Sequence, residues 1–256
     1  MNKFYTAYQT NIGIKKNSNQ DSLMLKGIQN ETEETILAVL CDGMGGMAKG
    51  ELASATVVTA FSDWLEEQYV QKGDKWKADD IREQWQQVLS VANRKLLLYG
   101  SNTNIELGTT ATIVLLRQDG SYVIGHVGDT RVYHLAEYIR QLTEDHTFVA
   151  REVQRGRMTQ EQAANDNRRN VLLQCIGVNE FFEMQFLKGH IEKGEALLLC
   201  SDGFRHVVTE KEIFGKLNPK YIGDENVIRD KLHNLILLNI QRKETDNISA
   251  VYIKMR

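Results

Sequence analysis

The sequence predicts an α+β fold in which strands and helices occupy separate stretches of the chain instead of alternating. Short apolar runs of strand length lie toward both ends of the 256 residues, and two long amphipathic segments follow one another between them. No proline-rich or Gly/Ser-rich linker and no internal repeat divides the chain. We therefore expect one domain over residues 1–256.

The predicted strands are runs of apolar residues bounded by turn-forming residues. Arg117–Gly120 separates the second and third runs and ends in Asp-Gly, which is typical of a hairpin turn. In chain order the runs are Ile36–Cys41, Thr110–Leu116, Tyr122–Val127, Arg131–Leu135, Ala196–Cys200 and Ile248–Ile253.

Three segments carry apolar residues at helical spacing. They run from Ala53 to Leu65, from Ile81 to Tyr99 and from about Val227 to Leu238. A fourth stretch, Phe148–Arg169, is rich in Arg, Gln, Asn and Glu and interrupts the series of strands. We interpret it as an exposed helical excursion.

Composition excludes several classes of protein. Hydrophobic residues make up 42% and charged residues 25%, as in a soluble globular protein, and the net charge of −3 gives no basic field for nucleic acid or anionic lipid. The three cysteines lack metal or disulfide spacing and predict buried thiols. Met1–Thr10 does not resemble a secretory signal, and no run is long enough to span a bilayer. We expect a cytoplasmic monomer that binds neither nucleic acid nor membrane.

Three aspartates stand at the ends of predicted strands. Asp42 and Asp202 each follow an apolar run and precede a glycine, and Asp246 introduces the last strand. A single Asp in this position usually only forms a turn. Carboxylates that meet at the edge of a core repel one another unless a cation lies among them, and oxygen ligands favour Mg²⁺ or Mn²⁺. The repetition therefore favours a metal site.

A dinucleotide-binding loop is the competing hypothesis for the same segment. Gly43–Ala48 matches G-x-G-x-x-A after a strand and before a helix. The acid expected about 20 residues later should end a second strand, but Asp63 lies within the first amphipathic segment. This hypothesis ranks below the metal site.

Six motifs in order resemble the metal-dependent Ser/Thr protein phosphatases, the PPM or type-2C family, in its compact bacterial form. They are Asn19-Gln-Asp21, Asp42-Gly-Met-Gly-Gly46, Gly108-Thr-Thr110, Val127-Gly-Asp-Thr-Arg131, Ser201-Asp-Gly203 and Asp246-Asn247. The resemblance spans about Tyr8 to Ile253. It implies a four-layer αββα sandwich, with two antiparallel sheets flanked by helices, and a flap subdomain at about residues 147–172.

The resemblance also implies a centre of two Mn²⁺ or Mg²⁺ ions. In that arrangement Asp42 bridges both ions, the carbonyl of Gly43 binds one, and Asp202 and Asp246 hold the other. A water bridging the ions would attack phosphorus directly. The substrates implied are phosphoserine and phosphothreonine proteins, supplied by a cognate Ser/Thr kinase.

Further residues have roles implied by the resemblance. Asp21 would act through a metal-bound water, and Asp129 would contribute to a third, weaker metal site. Thr109 and Thr110 are candidates to orient a ligating Asp by hydrogen bonding.

Four positions depart from the family pattern. Lys16 stands where an Arg usually grips the substrate phosphate, so we assign it that role without the bidentate geometry of Arg. Gln20 replaces a Glu, and Met44 replaces the proposed general-acid His of eukaryotic members. His206 stands where many members carry another acid, and we expect a polar residue near the cleft. These departures motivate an alternative hypothesis, a catalytically weak binding or sensor domain on the same fold.

Overall fold

The computed structural model describes residues 3–29, 33–45, 49–72 and 76–256. Its strands are β1 (Phe4–Asn11), β2 (Asp21–Gln29), β3 (Glu34–Gly45), β4 (Leu107–Thr109), β5 (Ala111–Arg117), β6 (Ser121–Val127), β7 (Arg131–Leu135), β8 (Ile139–Gln141), β9 (Gln185–His190), β10 (Ala196–Cys200) and β11 (Ile248–Met255).

The helices include the three that were predicted. The first, α1, continues through a π-helical turn at Leu65–Tyr69 into α2. The helices are α1 (Gly50–Trp64), α2 (Val70–Lys72), α3 (Ala78–Thr103), α4 (Phe148–Gln154), α5 (Gln160–Asn165), α6 (Asp202–Arg205), α7 (Glu210–Leu217) and α8 (Glu225–Gln241).

Within the described residues the strands form two antiparallel sheets. Sheet A has the order β1-β11-β10-β7-β8, and sheet B has the order β2-β3-β5-β6-β9, with β4 beside the end of β3. Helices α1 and α3 pack on the outer face of sheet B, and α7 and α8 pack on the outer face of sheet A. A third apolar cluster fills the space between the sheets. The four-layer αββα sandwich predicted from the resemblance is confirmed.

Burial on both faces explains the continuous apolar runs of the central strands. In β3, Leu37 and Val39 face α1 and α3, whereas Ala38 and Leu40 face the opposite sheet. Side chains alternate along a strand, so a strand buried on both faces needs apolar residues at every position. The predicted runs are therefore the central strands of the two sheets.

The strands that the sequence did not reveal are at sheet edges, apart from the short β4. β1 and β8 are the edges of sheet A, and β2 and β9 are the edges of sheet B. The second half of β1, residues 8–11, and all of β9 are partly buried or exposed. Mixed polarity is expected at an edge, and it hides these strands from a search for apolar runs.

The dinucleotide-binding hypothesis is wrong. β3 continues through Gly43 to Gly45, and these residues pair antiparallel with β4. All strand pairs in the described part of the chain are antiparallel, so the parallel βαβ unit that such a site requires is not formed there. Gly46–Ala48 lie outside the described residues.

Other expectations concern the surface and the thiols. Phe148–Arg169 contains α4 and α5, so the predicted helical excursion is present; its definition as a flap subdomain stays a prediction. All three cysteines are buried free thiols, as predicted. No described helix has the length and apolarity that a bilayer crossing requires.

Candidate metal centre

Two carboxylates come from neighbouring strands of sheet B. Asp21 begins β2 and lies directly opposite Asp42 near the end of β3. Asp42 shares the strand parity of Ala38 and Leu40, which face the opposite sheet. Both side chains therefore point into one end of the space between the sheets, beyond the apolar cluster.

The backbone of Asp42 is fixed by the two threonines predicted to orient it. Thr110 accepts a hydrogen bond from Asp42 N at its hydroxyl (2.8 Å) and donates its own N–H to Asp42 O (2.9 Å). The Thr109 hydroxyl also donates to Asp42 O, at 3.0 Å. These bonds hold the position of Asp42 without using its carboxylate oxygens.

The glycines after Asp42 and Asp202 are required by close backbone contacts. A Cβ at Gly43 would lie 2.1 Å from Gly50 O, and a Cβ at Gly203 would lie 2.2 Å from Asn247 O. Each Asp-Gly pair therefore marks a point where another segment approaches the strand end. At Gly43 this segment is the start of α1, and at Gly203 it is the start of β11.

Three more carboxylates face the same end from the other side. Asp202 is the first residue of α6, directly after β10, and Asp246 precedes β11. These two are adjacent because β10 and β11 are antiparallel neighbours. Asp129 lies in the connection between β6 in sheet B and β7 in sheet A. Like Asp21, Asp129 and Asp202 are buried.

The five carboxylates interact through their charges. Burial raises the pKa of Asp42 well above its usual range, and Asp21, Asp202, Asp129 and Asp246 raise it further. Burial raises the pKa of Asp21 to about 7, with repulsion from Asp202 and Asp246 added and the Ser249 and Ser201 hydroxyls opposing. The structure thus brings together all the predicted carboxylates.

Asp129 follows the same pattern. Burial and then repulsion from Asp202 raise its pKa to about 7, although Arg205 opposes this.

Three of these carboxylates have a cationic or imidazole partner. Lys16 Nζ lies 2.7 Å from Asp246 Oδ1, and His206 Nε2 lies 3.4 Å from Asp202 Oδ2. Arg205 donates to the Asp129 carbonyl at 2.9 Å, and its guanidinium lies 3.9 Å from the Asp129 carboxylate. Lys16, predicted to bind substrate phosphate, is therefore paired with a predicted metal ligand.

Neighbouring carboxylates raise the pKa values of Lys16 and His206. Burial alone lowers the pKa of Lys16, but Asp246 more than offsets it and the pKa is raised. Burial likewise lowers the pKa of His206, but Glu244 and Asp202 raise it above its usual value.

The donor set has the chemistry of a hard divalent cation. Neither oxygen of Asp21, nor Oδ1 of Asp202, accepts a well-formed hydrogen bond from the described residues. Buried, mutually repelling carboxylates without donors fit Mg²⁺ or Mn²⁺ better than zinc. No three His, Cys, Asp or Glu side chains among residues 3–29, 33–45, 49–72 and 76–256 surround a single point as ligands of one ion would.

Gln20 and Asn247 have structural roles that bring loops to the site. The Asn247 side chain accepts from Gln20 N at 2.9 Å and donates to Ile12 O and Ser18 O. The Gln20 amide donates to Gly45 O at 3.3 Å. Asn247 thereby ties the loop that carries Lys16 to the start of β11. Only the Asp-Asn motif in the sequence gave a signal for this residue.

Two other histidines near the site are held by structural contacts. His126 is fully buried between the Thr112 hydroxyl (2.8 Å) and Glu144 O (3.0 Å). Burial lowers the pKa of His126 to about 3, with a further contribution from His146. His146 accepts a hydrogen bond from Gly128 N.

A cleft of about 1310 Å³ extends from the carboxylates to α4 and α5. Asp129 and Asp246 line its inner end, and Arg151 and Arg169 line the side formed by the polar excursion. Asp129 and Asp246 are the two carboxylates of the cluster that an extended ligand in the cleft would meet.

Comparisons with known proteins agree with this geometry. The family model described as "Protein phosphatase 2C" matches residues 13–230. The chain is 31% identical over 214 residues to the serine/threonine phosphatase Stp of Listeria monocytogenes serotype 4b, covering 82% of this chain and 81% of the relative.

Solved structures share the whole fold. A serine/threonine phosphatase from S. agalactiae superposes with a TM-score of 0.85 at 28% identity, covering 99% of this chain and 100% of that one. The catalytic domain of the phosphatase PstP, in complex with two manganese ions, superposes with a TM-score of 0.78 at 25% identity and covers 98% and 97% of the two chains.

Proposed function

This chain belongs to the protein phosphatase 2C family, and we propose that it hydrolyses phosphoserine and phosphothreonine in proteins with the help of two Mn²⁺ or Mg²⁺ ions. The observation that carries the proposal is the convergence of five carboxylates from both sheets on one end of the sandwich. The two manganese ions in the complex of PstP support it.

Asp42, the Gly43 carbonyl, Asp202 and Asp246 would hold the two ions, with Asp21 acting through water and Asp129 at a third, weaker site. Ions held there would supply the charge that makes a water acidic enough to attack phosphorus, and they would offset charge on the phosphoryl oxygens. The charges of the other four carboxylates all act on Asp42, which supports assigning it the central role.

Lys16 is the proposed contact for the substrate phosphate. Its side chain is 38% exposed and pairs with Asp246, so it can turn toward an anion that binds beside Asp246. A phosphate would compete with Asp246 for the same ammonium group, and metal binding at Asp246 would release Lys16 for this role. Lys supplies a point charge without the bidentate geometry of Arg, which predicts a loosely oriented phosphate.

The test is release of phosphate from a phosphothreonine peptide and from p-nitrophenyl phosphate, with and without Mn²⁺. We expect activity that requires Mn²⁺ or Mg²⁺ and disappears in excess EDTA. Full activity in EDTA would overturn the metal mechanism. A folded sample that binds Mn²⁺ in calorimetry but releases no phosphate would favour the alternative of a binding or sensor domain.

Partners and location follow as proposals from the same assignment. The substrates would be phosphoproteins produced by a cognate Ser/Thr kinase, and the enzyme would act in the cytoplasm as a monomer. Comparison of phosphoproteomes from cells with and without the gene would identify the substrates.

A further inference from the structure

His206 connects two segments that carry candidate metal ligands. It directly follows α6 and stands four residues after Asp202, so the imidazole and the carboxylate share one helix face. Its Nε2 lies 3.4 Å from Asp202 Oδ2, and its Nδ1 lies 3.5 Å from Glu244 Oε2. The imidazole therefore lies between two carboxylates.

Glu244 in turn holds the segment that contains Asp246. Its Oε1 accepts hydrogen bonds from the backbone N–H groups of Thr245 (2.7 Å) and Asp246 (2.9 Å). Glu244 is itself only 5% exposed, and its own N–H donates to Asn239 O in α8 at 3.0 Å. Glu244 is thus fixed at both its backbone and its side chain.

The two oxygens of Asp202 have different surroundings. Oδ2 faces His206, whereas Oδ1 is buried and accepts no hydrogen bond from the described residues. A charge contact to one oxygen restrains the orientation of a carboxylate and leaves the other oxygen for a cation. Groups that hold a ligand in this way typically change metal affinity by about 10–100-fold when they are removed.

From these contacts we infer that His206 and Glu244 are positioning residues for the metal centre, which hold Asp202 and the Asp246 segment in a fixed relation. This inference rests on the proposed metal-dependent function. The pair acts on the metal centre through the two ligands, and both residues also line the cleft. Along the chain, Asp202 and Asp246 are separated by α7 and α8. Through His206 and Glu244 they are also connected by three short contacts.

The primary test is calorimetric titration of Mn²⁺ into the metal-free protein and into His206→Ala, His206→Gln and Glu244→Gln. We expect His206→Ala to weaken binding at one ion by about tenfold or more. His206→Gln keeps an N–H donor directed toward Asp202, so it should stay within about threefold of the original affinity. The Mn²⁺ affinity of Glu244→Gln should lie between those of the two His206 variants.

Kinetics give a second readout. We expect the Mn²⁺ concentration that half-saturates hydrolysis of p-nitrophenyl phosphate to rise in His206→Ala by about the same factor as the calorimetric Kd, and to rise less in His206→Gln. The matched control is His134→Ala. His134 also pairs with a carboxylate, Glu195, at 2.8 Å, but on β7 away from the cluster. It should leave Mn²⁺ affinity unchanged.

Two results would overturn the inference. Unchanged Mn²⁺ affinity in His206→Ala, confirmed as folded by circular dichroism, would show that the imidazole does not position Asp202. Loss of one equivalent of bound Mn²⁺ in both His206 variants would make His206 a direct ligand instead. If the unsubstituted protein binds no Mn²⁺, the proposed function itself fails, and that outcome is distinct from both.

Discussion

The carboxylates on the two sides of the cluster have different surroundings. Asp21 and Asp42, the sheet B carboxylates, have no ion-pair partner among the described residues. Asp129, Asp202 and Asp246, the partnered carboxylates, face Arg205, His206 and Lys16 respectively. The charge of an added cation is therefore needed most on the sheet B side, while the partnered side already has its ligands held in place.

The largest effect is expected from Asp42→Asn, which removes the central charge. We expect a loss of activity on the order of a thousandfold, since several kcal/mol of transition-state stabilisation would be lost and about 1.4 kcal/mol corresponds to tenfold. In EDTA the same variant should melt at a higher temperature than the unsubstituted protein, because one of the repelling carboxylates is gone. Kinetics and differential scanning calorimetry provide the two measurements.

The control for this variant is Asp63→Asn, on the exposed face of α1. It should change neither activity nor melting temperature. An Asp42→Asn protein that melts at a lower temperature in EDTA would contradict the idea that the sheet B carboxylates are uncompensated.

The next largest effect tests the partnered side. Arg205 is 13% exposed and lies 3.9 Å from the Asp129 carboxylate, so Arg205→Met would leave Asp129 without its cation, whereas Asp145 keeps its pair with Arg131. Breaking a buried ion pair costs about 3–5 kcal/mol, which corresponds to a fall in Tm of roughly 10 °C for a domain of this size. Arg242→Met, which breaks the surface pair with Glu212, should have little effect. Equal melting of both variants would contradict the assignment of Arg205 as a partner.

The pH dependence of the metal-free protein provides a third test. Asp21 and Asp129 have raised pKa values of about 7 in the folded protein, against a usual 3.8. Between these values the folded chain holds protons that the unfolded chain has lost, so the free energy of unfolding falls as pH rises from about 4 to about 7. We expect Tm in EDTA to fall by roughly 5 °C across this range.

Added Mn²⁺ should reverse this loss, because a cation offsets the charges that appear above pH 7. The slope in EDTA should become flatter in Asp21→Asn, which removes one of the titrating groups. A Tm that rises steadily from pH 4 to pH 7 in EDTA would show that these carboxylates are already compensated.

The smallest effect is expected at Lys16, which is partly exposed. Its pair with Asp246 is worth at most about 1 kcal/mol, so Lys16→Ala should tighten Mn²⁺ binding by no more than about fivefold. The KM for a phosphothreonine peptide should rise by about the same factor, because a phosphate contact is lost. Lys15→Ala is the control, and Lys16→Arg should lower KM through its bidentate geometry.

The sequence predicted Asp42, Asp202 and Asp246 because each follows or introduces a strand that is buried on both faces, whereas Asp21 and Asp129 were predicted from the family resemblance alone. Such strands are continuous apolar runs, so their ends are visible without a structure. The residues that contact these carboxylates and their loops could not be identified from the sequence in this way. Arg205 reaches Asp129 across 76 residues, and Asn247 reaches Gln20 across 227. Only the antiparallel arrangement of β10 and β11, and their position opposite sheet B, bring these residues together.

The edge strands, like the partners of the carboxylates, could not be predicted from local sequence. β2 carries Asp21, yet its mixed sequence gave no strand signal, and the Asn-Gln-Asp motif alone marked the residue. Its strand character comes from nine residue pairs with β3. Long-range pairing, and not local propensity, determines this element.

The pairing of β1 with β11 determines when the fold can be completed during synthesis. β1 pairs along its length with β11, from Phe4 opposite Met255 to Asn11 opposite Ile248. During synthesis, β1, β2 and β3 leave the ribosome long before β11. Sheet A cannot close, and Asp246 cannot join Asp42, until β11 has emerged. A nascent chain therefore cannot assemble the carboxylate cluster before β11 has left the ribosome.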